Sequence, residues 1–417
     1  MSILGLDIGG ANIKAADAAG RTLSRSFAMW KHPERLTDEL ASILHSFPQT
    51  ERIAVTMTAE LADCFATKAE GVRFILDAVE ASAPPSSVEV WTTAGRFVTA
   101  KDAASQPMLV AAANWQALAT WCGRTLLDGG PCAEPKAPLT LTLSPEDGGG
   151  GTRSETASSQ GAAGASSASL VTRHSSLPTS ALLIDIGTTT TDIIPLVGGR
   201  PVARGLTDVG RLQSGELSYS GVKRTPLCAI AQAVPVGQVS NLPVRGRSQT
   251  SAESQAGWKP ASQGDCPLAA ELFATTLDVY LLLGDIAEDP ADLETANGKP
   301  ATKAAAHDRL ARMLCCDRDE VSFDEAVQIA KFLADVQRQR LAGSLERVAS
   351  RFETPVETVI VSGSGSFLAR RLVAENRRTS QAKIVSLDEQ LSPGIAEAAC
   401  AYAVAQLLAG SATQCGK

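Results

Sequence analysis

The sequence predicts an α/β protein of two lobes built by duplication, on three observations. An apolar strand ending in Asp-Ile-Gly occurs twice, as Leu4-Gly5-Leu6-Asp7-Ile8-Gly9-Gly10-Ala11-Asn12 and as Leu182-Leu183-Ile184-Asp185-Ile186-Gly187-Thr188-Thr189-Thr190. Each copy opens a half in which strand-like and helix-like patterns alternate. Two stretches dominated by Gly, Ser, Ala, Thr, Pro and Gln, 131–180 and 236–266, break otherwise dense, patterned sequence.

In the first half, 1–130, Ile3 to Ile8 reads as a strand, a Gly9-Gly10 turn follows, and Ile13 to Ala16 returns as a second strand. Arg52 to Met57 and Val88 to Trp91 read as further strands. Gly71 to Ala83 carries Val72, Ile75, Leu76 and Val79 at helical spacing, and Ala111 to Leu127 is also expected to be helical. The second half, 181–417, repeats the opening at Ala181 to Gly187. A long apolar helix is expected over Leu268 to Leu283. Ser322 and Glu325 form a capping-box pattern for a helix reaching about Arg351. Thr358 to Val361 reads as a strand that runs into Ser362-Gly363-Ser364-Gly365, and Lys383 to Leu387 as the last strand. Ser392-Pro393 starts the last helix. The stretches 131–180 and 236–266 have too little apolar content to offset the entropy of ordering and are read as disordered insertions.

Composition narrows the function. The net charge of −7 argues against a nucleic-acid or anionic-membrane surface. It leaves a phosphorylated ligand open, because backbone N–H groups and a metal bind phosphate without net positive charge. Nine scattered cysteines with no Cys-x-x-Cys, and four dispersed histidines, exclude the usual zinc and iron–sulfur patterns. The odd count and the lack of a signal-like start fit a reducing cytoplasm. No run is long and apolar enough for a membrane helix. Cys315-Cys316 are expected on a helix in a structural role. A homo-oligomer is compatible with the sequence.

The repeated loop carries the expected chemistry. Glycine permits the positive φ of a tight turn, so that Gly9, Gly10 and Gly187 let backbone N–H groups converge on an anion. Asn12 and the hydroxyls of Thr188, Thr189 and Thr190 add neutral donors, and Lys14 a point charge. Asp7 and Asp185, at strand ends, can hold Mg²⁺ directly or through its waters. Gly363, Ser364 and Gly365, between a strand and a helix, either face an anion or make a plain turn. Asp278, in an apolar helix near Thr275 and Thr276, needs a partner, which is either a site group or a capping contact.

These motifs resemble the actin/sugar-kinase/heat-shock ATPase superfamily, in which two hairpin loops clasp phosphates between two lobes. The resemblance implies a two-lobed actin-like/ribonuclease H-like fold with duplicated βββαβα-type domains. Within it the chain resembles the hydantoinase A/oxoprolinase-like branch, and more narrowly the tetrahydromethanopterin-linked C1-transfer pathway proteins. The matching segments are Gly5–Ala16, Thr56–Cys64, Ala111–Gln116, Ile184–Pro195, Gly215–Pro226, Leu272–Asp285 and Val361–Gly365. The two insertions depart from the compact family pattern.

The resemblance implies a transferase of an alkyl group other than methyl. Its substrates are an aminomethylfuran-methyl diphosphate and the phenol of γ-glutamyltyramine or a tyrosine analogue. It releases diphosphate during synthesis of a methanofuran-type C1 carrier. On this reading Asp7 and Asp185 serve catalysis through Mg²⁺, the glycine loops bind diphosphate, and Glu60 is the base for the phenol or else a carboxylate at a helix start. Lys68 and Arg224 grip diphosphate or the glutamyl carboxylate, or are solvated surface charges. Asn114 and Trp115 meet an aromatic substrate, or Trp115 belongs to the core. An ATP-dependent kinase or hydantoinase-type hydrolase uses the same loops and is the first alternative; an actin-like nucleotide switch is the second.

Overall fold

A computed structural model describes residues 2–83, 87–127, 179–235 and 265–414. The interior of both expected insertions lies outside the described residues. Their described ends are strand: Ser180 begins one, and Asp265–Pro267 is another.

In the first lobe, β1 (Ile3–Ile8), β2 (Asn12–Asp17) and β3 (Thr22–Ser26) form an antiparallel meander. After the helix Leu36–His45, β4 (Arg52–Met57) returns parallel to β1; after the helix Lys68–Ser82, β5 (Ser87–Trp91) lies parallel to β4. Parallel neighbours need such crossovers, and the apolar stripe of each helix covers the sheet. β6 (Phe97–Thr99) closes the edge, giving the order β3-β2-β1-β4-β5-β6.

The second lobe repeats the plan. β7 (Ser180–Ile186) pairs antiparallel with β8 (Thr191–Val197), which also carries the short β9 (Arg200–Pro201) and β10 (Leu217–Ser218). A ribbon of β11 (Ala233–Pro235) and β12 (Asp265–Pro267) stands apart. The long helix Phe323–Ala349 then leads to β13 (Thr358–Ser362), parallel to β7, and the helix Ser366–Glu375 leads to β14 (Lys383–Ser386). Each central strand therefore carries its aspartate between an antiparallel hairpin partner and a parallel crossover strand. Asp7 lies in register with Lys14 and Thr56, Asp185 with Asp192 and Ser362. This is the duplicated βββαβα plan of the actin-like fold.

Two helices fill the space between the sheets. Asn114–Cys122 and Ala399–Gln414 share one core with Ile3 and Ala54 of the first sheet and with Ala181, Leu183, Ile194 and Ile360 of the second. Separate cores lie outside each sheet. The C-terminal helix comes so close to β1 that a Cβ on Gly5 would stand 1.9 Å from the Ala401 carbonyl oxygen. β1 is apolar on both faces because both are covered.

Several expectations need correction. The helix expected over Leu268 to Leu283 spans only Thr276–Leu283, since Thr275 and Asp278 form a capping box there and Leu268 and Ala269 bond outward to Gln232 and Met313. The helix expected from Ala111 starts at Asn114, after Ala112 at φ 48°. The last helix is broken into Pro393–Glu397 and Ala399–Gln414. Cys315 and Cys316 follow the helix Lys303–Met313 rather than lying on it, with Cys315 exposed at φ 57°. Asp278 has the partner it needs: it accepts from the Thr275 N–H and pairs with the fully buried Arg309 at 2.7 Å.

Candidate functional site

The two loops close in the same way. The Gly9 N–H donates to the Asn12 carbonyl at 2.9 Å, and the Gly187 N–H to the Thr190 carbonyl at 2.9 Å. This corrects two expectations. Those two N–H groups close turns instead of facing a ligand, which leaves Gly10 and Ala11, Thr188 and Thr189 for that task. Nor do Gly9, Gly10 and Gly187 adopt a positive φ. The reason for Gly9 is proximity, since a Cβ there would lie 2.9 Å from the Asn12 carbonyl oxygen; the space beside Gly10 is open. Asn12 and Thr190 thus contribute their backbone carbonyls to the turns, and Thr189 is exposed.

Two further segments hold both loops: residues 27–29, which the sequence did not single out, and residues 220–224, inside the matching stretch Gly215–Pro226. Phe27 and Met29 donate to the carbonyls of Ala11 and Gly10. Val222 donates to Gly187, and Lys223 and Arg224 both donate to Thr188. Gly221 lies so tightly against Thr188 and Thr189 that a Cβ would meet them at 2.5 Å. Gln337 fixes this segment by donating to Ser220 Oγ and the Gly221 carbonyl, both at 2.9 Å, while accepting from the Tyr280 hydroxyl at 2.7 Å. The Ser-Gly-Val-Lys-Arg-Thr-Pro run offered the signal: glycine and hydroxyl groups beside two cations.

The third glycine segment lies directly on the second loop. The Gly365 N–H donates to the Ile186 carbonyl at 2.8 Å. Gly363 has φ 85°, and a Cβ on it would stand 2.6 Å from Asp185 Oδ1. Ser364 is exposed.

Asp7 lies within the field of Asp185. Burial pushes Asp7 up to about 6, with Lys14 opposing and Asp185 reinforcing the rise. Burial also raises Asp185, opposed by the Ser362 hydroxyl and Lys14. Asp7 Oδ1 and, on the adjacent strand in register, Thr56 Oγ1 are buried without a hydrogen-bond partner. Lys14 Nζ donates to the Glu397 carbonyl at 2.7 Å. Two desolvated carboxylates with an orphaned oxygen suit a hard cation. No group of three or more His, Cys, Asp or Glu side chains is gathered for a metal among the described residues. A Mg²⁺ here would therefore have Asp7 and Asp185 as its only protein carboxylates among those residues.

A second cluster spans the lobes beyond β4. Glu60 follows β4 in a short 3₁₀ turn, is 1% exposed, and has no well-formed hydrogen bond to either carboxylate oxygen. Burial pushes it up to about 7, eased by its own backbone N–H and by Lys68 and raised by Asp208. Gly71 makes room for this turn, since a Cβ would lie 2.5 Å from the Glu60 carbonyl oxygen. Lys68, read from sequence as a substrate contact or a solvated charge, reaches across the cleft to Asp208 Oδ2 at 2.8 Å. Arg211, buried and missed in the sequence, pairs with Asp192 and stacks its guanidinium 4.4 Å over the Trp115 ring. Trp115 is core, with one face already taken, and does not offer that face to a substrate. Asn114, the first residue of its helix, turns its side-chain oxygen back on its own backbone, accepting from the Trp115 N–H at 2.8 Å. Arg224 is exposed and lies 5.1 Å from the centroid of Trp30.

The structure therefore gathers Asp7, Lys14, Asp185, the two loops and Gly363–Gly365 in one place, and Glu60 with Lys68 in a neighbouring one. A hydantoinase/oxoprolinase family model matches residues 51–128 and 149–409. The chain belongs to the hydantoinase/oxoprolinase family. It is 28% identical over 411 residues to the (4-{4-[2-(γ-L-glutamylamino)ethyl]phenoxymethyl}furan-2-yl)methanamine synthase of Methanocaldococcus jannaschii, covering 97% of both chains. It is 27% identical to the synthase of the same name from Methanococcus vannielii, over 54% of this chain and 90% of that one. Solved structures are more distant. The activator of the 2-hydroxyisocaproyl-CoA dehydratase from Clostridium difficile with bound ADPNP matches at TM-score 0.41 and 10% identity, covering 100% of this chain and 98% of that one. MamK bound to AMPPNP matches at TM-score 0.40 and 11% identity, covering 98% of each chain. Scores of this size carry nothing about activity, and the fold stands on the repeated strand order. No described helix is long and apolar enough to cross a membrane.

Proposed function

We propose that this family member joins an aminomethylfuran-methyl diphosphate to the phenol oxygen of γ-glutamyltyramine, or of a tyrosine analogue, in building a methanofuran-type C1 carrier in the cytoplasm. The observation that carries the reading is the end-to-end match to a synthase of that product. In the reaction the bond between the furan's exocyclic methylene and the diphosphate oxygen breaks with its electrons, the phenol oxygen bonds to that methylene, and the phenol proton leaves.

The residues divide the work. Gly10, Ala11, Thr188 and Thr189 turn toward the phosphates, with Gly363, Ser364 and Gly365 bracing Asp185. Asp7 and Asp185 would hold Mg²⁺, which would supply charge neutralisation for the diphosphate leaving group. Lys14 supplies a fixed charge beside them. Glu60, whose proton affinity lies near neutral pH and whose oxygens are uncommitted, takes the phenol proton. Lys68 and Asp208 connect Glu60 to the second lobe, and Arg224 faces the diphosphate.

The test is to mix the protein with Mg²⁺, the furan diphosphate and γ-glutamyltyramine in the absence of ATP. Release of diphosphate with formation of the ether supports the proposal. No diphosphate release in that mixture, together with ADP formation tied to a small acceptor in a parallel mixture supplied with ATP, replaces it with an ATP-dependent kinase or hydrolase.

A further inference from the structure

We infer that Trp30 and Arg224 form a clamp that closes from opposite lobes over the phosphates of the ligand, with Trp30 as the residue that positions the arginine. Each residue is tied by backbone to a different one of the two repeated loops. Met29, next to Trp30, donates its N–H to the Gly10 carbonyl at 2.9 Å, and Arg224 donates its own N–H to the Thr188 carbonyl at 2.9 Å. The two side chains meet across the cleft, the guanidinium 5.1 Å from the indole centroid.

The charge balance singles out Arg224. Its neighbour Lys223 is matched by Asp292, Lys68 by Asp208 and Arg211 by Asp192. The Arg224 side chain has no hydrogen bond or carboxylate partner among the described residues; the indole is its contact. A guanidinium lying on an aromatic face keeps its N–H edge free for in-plane donation, and that fork matches a phosphate bidentately. Trp30 is itself unusual, a large aromatic side chain 37% exposed at the cleft mouth. Its place is set locally, since Lys31 and His32 both donate to the Ala28 carbonyl and form a tight turn around it. Because one half of the clamp rides on each lobe, the stack forms only when the lobes are close together.

The inference rests on reading the two loops as a phosphate site, and does not depend on the phenolic acceptor. Its test uses inorganic diphosphate with Mg²⁺ on the full-length protein, followed by calorimetry and by intrinsic tryptophan fluorescence. The variants are Trp30→Ala, Trp30→Phe, Arg224→Met and Arg224→Lys, with circular dichroism to establish that each is folded. Diphosphate should change the fluorescence of the wild type, and that change should be absent in Trp30→Phe. Affinity should fall about tenfold or more in Arg224→Met, the loss expected for a charge-assisted hydrogen bond. Trp30→Ala should fall similarly, Trp30→Phe should keep most of the affinity, and Arg224→Lys should not, because an ammonium has no fork to offer. If diphosphate binds the wild type but folded Trp30→Ala and Arg224→Met bind within twofold of it, the clamp is wrong and the loop reading stands. If neither diphosphate nor a nucleotide binds the wild type, the loop reading fails and the clamp falls with it.

Discussion

Replacing Glu60 by Gln removes a carboxyl group that the fold holds out of water without a partner, and the consequences for stability and for turnover carry opposite signs. In the native protein this group rises from an ordinary 4.5 to about 7, chiefly through burial. A difference of that size corresponds to about 3 kcal/mol between the charged and neutral forms. Below pH 4.5 both folded and unfolded chains carry the proton and Glu60 costs nothing. Between 4.5 and about 7 the folded chain binds the extra proton, so stability declines as pH rises. Above about 7 the full cost is present. Glu60→Gln, which has no charge to desolvate, should therefore match the wild type near pH 4 and be more stable by up to about 3 kcal/mol at pH 8. Urea unfolding at the two pH values measures this directly. Turnover should move the other way. Loss of a general base costs about 10²–10⁴ in kcat, and the wild-type rise of kcat with pH through about 7 should disappear in the variant. Lys68 and Asp208 both act on this group, so Asp208→Asn should move the wild-type limb to lower pH. A wild-type profile that is flat from acid to alkaline pH, or a limb that persists in Glu60→Gln, refutes the assignment.

Other outcomes follow from the same geometry. Mg²⁺ affinity, measured by calorimetry, should weaken as pH falls through about 6, where Asp7 takes up a proton, and Asp7→Asn should abolish both the tight binding and its pH dependence without loss of stability at pH 8. Gly363→Ala places a methyl group 2.4 Å from the Ile186 carbonyl oxygen at φ 85°, so calorimetric unfolding should show a loss of about 1–3 kcal/mol. Arg309→Leu leaves the buried Asp278 without its counter-ion, and should cost about 3–5 kcal/mol, read as a lower midpoint in thermal unfolding.

Features written in local sequence were legible. The Asp-Ile-Gly repeat, the short apolar strands that carry it and the capping box at Ser322 each declare themselves within about ten residues, and the duplicated sheets follow from them. The glycines were read too simply: Gly9 and Gly363 are both required, but one by a close carbonyl and the other by backbone conformation, and a sequence does not say which. The site's second half was mostly hidden. Asp208, Arg211 and Asp192 look like ordinary surface charges until the fold pairs Asp208 with Lys68 and buries Arg211 between Asp192 and Trp115, and Trp30 carries no motif at all. Trp115, read as either a substrate contact or core, is core, and spends its face on Arg211. The helix expected from Leu268 failed because apolar composition alone does not distinguish a buried loop from a helix, whereas Thr275 and Asp278 mark the true start.

The contact between Gly5 and Ala401 has a bearing on how the molecule is made. The helix Ala399–Gln414 supplies one covering layer of the first sheet, so strands made long before it keep an apolar face open until that distant helix is available. Contacts of such sequence separation form slowly, and a nascent N-terminal half should need shielding by chaperones in the interval. A fragment ending before Ala399 lacks the wedge that both sheets share as a core, and should expose that apolar surface.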